Sequence, residues 1–335
     1  VDPNLSAPYS DQLILGVEHS LLPEFVVGLS ATYRENSDLL TNTELVFDGD
    51  PYSAANVGSV GRKATRADFI PDNTYLITLP DGKTTTVQSF RLRPGVQSRG
   101  GTTLENSDRG QTYTALSLTA NKRLSNRWML RGNLSWNNWE WDVPSSAIIN
   151  PQQGNFVGSA GGNRDGDRVI TCVGTGSGAK GNVCISSTWS YSVNGMYQVA
   201  PDRPWGFNVA AALNGHEGYA QPYFLFRAKR DGFTNSTNTN VLAVDNPDDY
   251  NLDDVHVLDL RVEKEFRFDR VGLTLGLDVF NVTNANTVLQ RQRRISGQNL
   301  LTGSSTANVN SSTADHVYEV LSPRILRIGA TISFN

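Results

Sequence analysis

The sequence predicts an all-β protein, a transmembrane antiparallel β-barrel fold of about nine strands with long extracellular loops. Three observations predict it. Apolar and polar residues alternate with period two over segments of roughly 11–14 residues, longer than the ~5–6 of an ordinary soluble strand. Each segment is two-faced, one side apolar and the other polar or ionic. Short turns and long polar connections also alternate strictly along the chain. Outer-membrane barrels have that asymmetry, with short periplasmic turns and long external loops, and a soluble sandwich has no reason for it.

Composition agrees. Across 335 residues only 38% are hydrophobic and 19% charged, while Gly numbers 30, leaving an excess of uncharged polar residues for a globular domain. The net charge of −4 and the lack of any Lys/Arg block provide no field for a phosphate backbone, so nucleic acid is not an expected partner. No stretch approaches the ~18 apolar residues of a spanning helix. A barrel strand passes that filter because its two faces average out as polar.

The segments at 9–21 and 25–37 are joined by Leu22-Pro23-Glu24, those at 110–124 and 127–141 by Ser125-Asn126, and those at 187–200 and 205–219 by Pro201-Asp202-Arg203-Pro204. In 257–268, Leu258, Leu260, Val262 and Phe266 alternate with Asp259, Arg261, Glu263 and Glu265. Asp269-Arg270 then turns the chain into Leu273, Leu275, Leu277 and Val279, which alternate with Thr274, Gly276 and Asp278. A last strand at 324–334 carries Leu326, Ile328, Ala330, Ile332 and Phe334 on one side. Polar connections fill 40–109, 142–186, 220–254 and 285–321. With short turns on the periplasmic side, the last strand runs inward and the C-terminus is periplasmic.

Glu18, Arg131, Asp259, Arg261, Glu263, Glu265, Asp278 and Arg327 fall on the inward, lumen-facing strand positions, because a wet lumen tolerates charge. Trp128 and Trp136, with Trp139 and Trp141 beyond them, and Tyr191, Tyr197, Trp205 and Phe207 suit interfacial girdles. A core beneath a second sheet is the competing explanation of the aromatics.

Cys172 and Cys184 bound a Gly/Ser-rich segment that could close as a disulfide in an oxidising compartment. Two free thiols are the alternative. Asn163, Asp165 and Asp167 alternate as calcium ligands do, but no Glu closes the loop at its twelfth place, which favours a solvated turn. Gly174–Lys180 lacks the ending of a phosphate loop. His19, His216, His256 and His316 have no metal spacing, and no nucleophile elbow or triad occurs. The expectation is a non-enzyme without metal or cofactor. The beginning at Val1, with neither Met nor a signal segment, suggests a mature or truncated piece.

Five stretches resemble the C-terminal barrel of TonB-dependent outer-membrane receptors, particularly the Oar-like branch. They are Ala7-Pro8-Tyr9-Ser10-Asp11-Gln12 leading into Leu15-Gly16-Val17-Glu18, the run Asn214–Pro222, the run Asp254–Phe266, Asp278-Val279-Phe280-Asn281-Val282-Thr283-Asn284, and Ser322–Phe334. They occur in the family's order over nearly the whole chain. The last resembles the family's membrane-insertion signal in Arg327, Ile328, Ala330, Ile332 and Phe334, although Asn335 follows the terminal aromatic.

The resemblance implies that residues 1–335 are a single partial domain, the last nine strands of a 22-stranded barrel whose plug and TonB box lie elsewhere. It further implies import of a scarce, bulky solute across the outer membrane of a Gram-negative bacterium. The partners would be outer-membrane lipid, the rest of the barrel and plug, the TonB complex and an unidentified solute. A structural or adhesive surface protein showing long polar loops is the alternative, and a secreted carbohydrate-binding sandwich a third.

Overall fold

A computed structural model describes every residue except 152–165, 167, 170, 174–182, 228–238, 245–248, 269, 296, 300–314 and 335. Nine long strands make one antiparallel sheet: β1 (Tyr9–Leu22), β2 (Phe25–Ser37), β3 (Gly110–Ser125), β4 (Trp128–Asp142), β5 (Trp189–Val199), β6 (Phe207–His216), β7 (Val255–Phe268), β8 (Val271–Phe280) and β9 (Ile325–Phe334). Their order in the sheet is their order in the chain. Every neighbouring pair is antiparallel. The fold is all-β, and its nine strands match the nine alternating segments of the sequence.

Local chemistry fixes the short connections. Asn126 and Arg127 take φ of 51° and 73° between β3 and β4, the two positive-φ positions of a turn whose twist suits a hairpin. At the other end of the sheet Gly218 leaves β6 so close to the chain that an added Cβ would lie 1.7 Å from the Leu252 carbonyl oxygen. Only glycine permits that approach.

The long connections are not merely polar. Leu40–Asp48 pairs with Arg62–Lys63 and Val96–Asn106, and Phe69–Thr78 pairs with Thr84–Leu92 and Gly297–Asn299. Phe224–Arg227 lies between Thr239–Leu242 and Arg294–Ile295, the latter in parallel. The last connection therefore gives one short strand to the first connection and another to the third. Buried side chains follow the same joins. Tyr75, Ile77, Leu79 and Val87 pack with Tyr223, Leu225, Ala243, Val244 and Ile295. A second cluster holds Val46, Ala64, Phe69, Leu92 and Val96, with Ile149 of the second connection against it.

The buried apolar core among the described residues therefore lies in the connections, which pack into one body at one end of the strands. The long sheet has little of it. β1 and β9 are exposed along their whole length.

Candidate functional site

Directly paired residues on neighbouring strands share a face, so register alone sorts the sheet. Arg131 faces Asn194, which faces Ala212, which faces Asp259. Glu18 faces Gly28, which faces Thr119, which faces Asn133 two positions from Arg131. Arg261, Asp278 and Arg327 form one row across β7, β8 and β9. All eight expected lumen positions lie on a single face.

At one edge of that face the charges touch. Arg261 donates to Asp278 at 3.0 Å and to Glu263 at 3.0 Å, and Arg327 donates to the other Asp278 oxygen at 2.8 Å. Asn208 on β6 extends the group by donating to Glu263 at 3.2 Å. Gly276 makes room for it, because a Cβ there would meet the Arg261 guanidinium at 3.3 Å. Glu265 accepts from Arg267, while Glu18 and Arg131 stand apart, bearing on the same face without joining the cluster.

The opposite face is apolar and open. Val262, Leu277 and Ile328 form one of its rows, Phe266, Leu273 and Ile332 the next, and Phe268, Val271 and Phe334 a third. Ile328 is 84% exposed, Phe334 79% and Leu15 63%. The other insertion-signal residues divide by parity, with Ala330 on this face and Arg327 on the charged one. No part of the chain among the described residues covers this surface.

Two aromatic groups bracket it. Near the short turns are Phe25 and Trp128, edge to face at 6.2 Å, with Tyr197 paired to Trp128. Near the long connections Trp136 pairs with Trp189, and Trp189, Tyr191 and His256 stack at 5.8–6.0 Å. Tyr191 and His256 Nδ1 share a hydrogen bond of 2.8 Å, and the Tyr191 ring occupies the space a Cβ on Gly215 would need.

Two lysines on the apolar face avoid it. Lys122 sits 4.2 Å over the Trp128 ring and donates to the Ser125 and Trp128 carbonyls at 3.0 and 3.1 Å. Lys264 donates to the Pro204 and Gly206 carbonyls of the next turn. Their aliphatic stems stay on the apolar surface while the ammonium groups reach polar backbone.

Trp139 and Trp141 depart from the girdle expectation. Their odd positions put them on the charged face's parity. Trp141 is buried with Val143 and Val169, and Trp139 packs against that cluster and against Tyr113 at 6.1 Å. They anchor the loop body to β4, because their side of the strand is covered there by Val143 and Val169.

The loop body holds its own polar networks. The Arg62 guanidinium donates bidentately to Asp48 at 2.9 Å and to Asp68 at 2.7 and 2.8 Å. The Thr65 N–H and hydroxyl also donate to Asp68, and Arg62 with these donors holds its carboxyl well below the usual carboxylate range. Elsewhere Tyr223 donates to Asp315 at 2.7 Å and Arg291 pairs with the same carboxylate at 3.0 Å. Burial, then the bond to Asp315, pushes the Tyr223 phenol up. A cavity of about 190 Å³ opens beside this group.

Cys172 is the register partner of Cys184 in a short hairpin. Asn163, Asp165, Asp167 and the segment 174–180 lie outside the described residues. The four histidines do not converge, and no group of three metal-ligating side chains occurs among the described residues. The sequence reading missed Lys122, Lys264 and Arg109: Lys122 finds its acceptors within its own turn, at Ser125 and Trp128, and Lys264 finds them in the neighbouring hairpin, at Pro204 and Gly206.

No family model matches the sequence, and no curated protein matches it. Among solved structures it is similar to the outer membrane transporter YddB from Escherichia coli, with 14% identity and a TM-score of 0.44. The likeness covers 99% of this chain and 33% of that one, so the chain spans about a third of the transporter's length.

Proposed function

We propose that the chain is part of the wall and the external loops of an outer-membrane β-barrel transporter of the TonB-dependent kind. The observation that carries this reading is the apolar face, uncovered and bracketed by aromatics. Trp128 and Trp136 are eight residues apart on β4, about 26 Å at ~3.3 Å per residue. A strand tilted by ~40° would project about 20 Å of that onto the membrane normal, near the ~25 Å apolar band of such barrels. In water an open surface of this size would drive aggregation. In lipid it is the solvated side.

On this reading the charged face lines the passage, with the Arg261–Asp278–Arg327 row and Glu18, Arg131, Asp259, Glu263 and Glu265 in contact with water. The packed loop body captures the solute outside the cell, and the C-terminus is periplasmic. Lipid cannot satisfy the free edges of β1 and β9, so further strands must close the wall. A plug and the TonB complex would complete the transporter, and the ladder partners Cys172 and Cys184 would be bonded in the oxidising exterior.

Membrane fractionation of the native protein, with its intact mass and N-terminal sequence, tests this. The expected result is an outer-membrane polypeptide far larger than 36.6 kDa with a plug-like N-terminus. Recovery in the soluble fraction without detergent would overturn it.

A further inference from the structure

Arg109 stands just before β3, where the first long connection re-enters the sheet. The residue is only 9% exposed. No hydrogen bond or ion pair of its guanidinium occurs among the described residues, and burial alone moves its pKa, downward. A guanidinium largely withdrawn from water with no counter-charge beside it is costly, and an outside group can supply that charge.

That something has room. Arg109 lines a cavity of about 160 Å³ together with Glu44, Glu105, Asp108 and Ser146, comparable to a cavity of about 150 Å³ that holds a benzene-sized guest. The wall's acids are not equivalent. Glu105 shares Lys63 with Asp2, and among the described residues Asp108 accepts only from Ser146, at 3.3 Å. Glu44, although partly buried, has no side-chain partner among the described residues. Among the described residues the lining thus presents one unpaired cation with two carboxylates that lack a cationic partner.

A simple anion would be drawn to Arg109 and repelled by Glu44 and Asp108. A ligand bearing both signs satisfies all three. We propose that this cavity is a binding site for a small zwitterion of the amino-acid class, its carboxylate on Arg109 and its ammonium toward Glu44 and Asp108. Entry from outside the cell rests on the transporter reading above, but binding by the purified protein does not.

The test is equilibrium dialysis of the full-length protein in detergent with radiolabelled alanine, and with acetate and inorganic phosphate as comparison probes. Saturable alanine binding is expected, weakened at least tenfold by Arg109→Met and severalfold by Glu44→Gln, with acetate binding weakly and gaining from Glu44→Gln. Arg109→Met removes a buried charge, so the variant should fold; Arg109→Lys, which keeps the charge without the planar fork, should still bind but less tightly. No saturable alanine binding, or binding indifferent to Arg109→Met, overturns the site. Acetate or phosphate binding as tightly as alanine overturns the zwitterion assignment. None of these failures would alter an outer-membrane location found by fractionation.

Discussion

Asp68 shows how one carboxylate organises a loop. Its side chain is 2% exposed, it receives two bonds from Arg62 and two from Thr65, and Arg93 approaches to 3.4 Å. A carboxyl depressed below its unfolded value of ~3.9 contributes stability that is fully present above that value and lost as pH falls through the folded value. The segment around Arg62–Leu92 should therefore hold at pH 5 and loosen progressively below about pH 4, read as amide exchange. Asp68→Asn should loosen it at neutral pH as well, by about 2–3 kcal/mol. That is below the ~3–5 kcal/mol of a fully buried pair broken by loss of one partner, because Arg62 is 37% exposed and can turn to water and Asp48. Unchanged exchange in this segment at pH 7 would show that the network is only surface charge.

At the scale of the strand, the two faces make opposite demands. Leu275 pairs with Lys264 and Ala330 on the apolar face, and Leu275→Arg should cost roughly 2–4 kcal/mol in a lipid refolding assay if the position lies near mid-bilayer. Glu263→Gln, on the charged face, keeps its bond-accepting oxygen and should change folding by less than about 0.5 kcal/mol. Equal mildness of the two would refute a lipid-facing surface. These strands were legible in the sequence because period-two alternation is a local signal, and the side-chain parity of all eight charged positions followed from it. The loop strands were less legible for a physical reason. Tyr75, Ile77 and Leu79 do alternate, but the surface they bury against comes from Tyr223, Leu225 and Ile295, more than 140 residues away by the numbering. The burial of Arg109 and the partners of Asp315, Tyr223 and Arg291, are likewise set by tertiary packing, which no window of sequence contains.

Over the whole molecule, core and sheet are separable. The strands are held by their ladder and by whatever solvates the apolar face, whereas the loop body is held by buried side chains drawn from several connections. Leu225 is fully buried among Tyr75, Ile77 and Ile295, so Leu225→Ala should cost about 2–5 kcal/mol, and that loss should fall on the loop body alone. Limited proteolysis should then cut within 40–109 and 220–254 while the far-ultraviolet β signal stays unchanged. Alkali should act at the same joint. Tyr250 donates to Asp81 of the first connection at 2.9 Å, and burial together with that bond pushes its phenol up to about 12. A phenol raised above its unfolded value of ~10 favours the folded loops only while it is protonated, so this contribution is complete below about pH 10 and disappears as pH rises through 12. Spectrophotometric titration should show a late-ionising tyrosine that Tyr250→Phe removes, and protease sensitivity of the loops should rise over the same interval. A simultaneous collapse of the β signal would mean that loops and sheet unfold as one cooperative unit, and the separation of a lipid-solvated wall from a self-supporting loop body would fail.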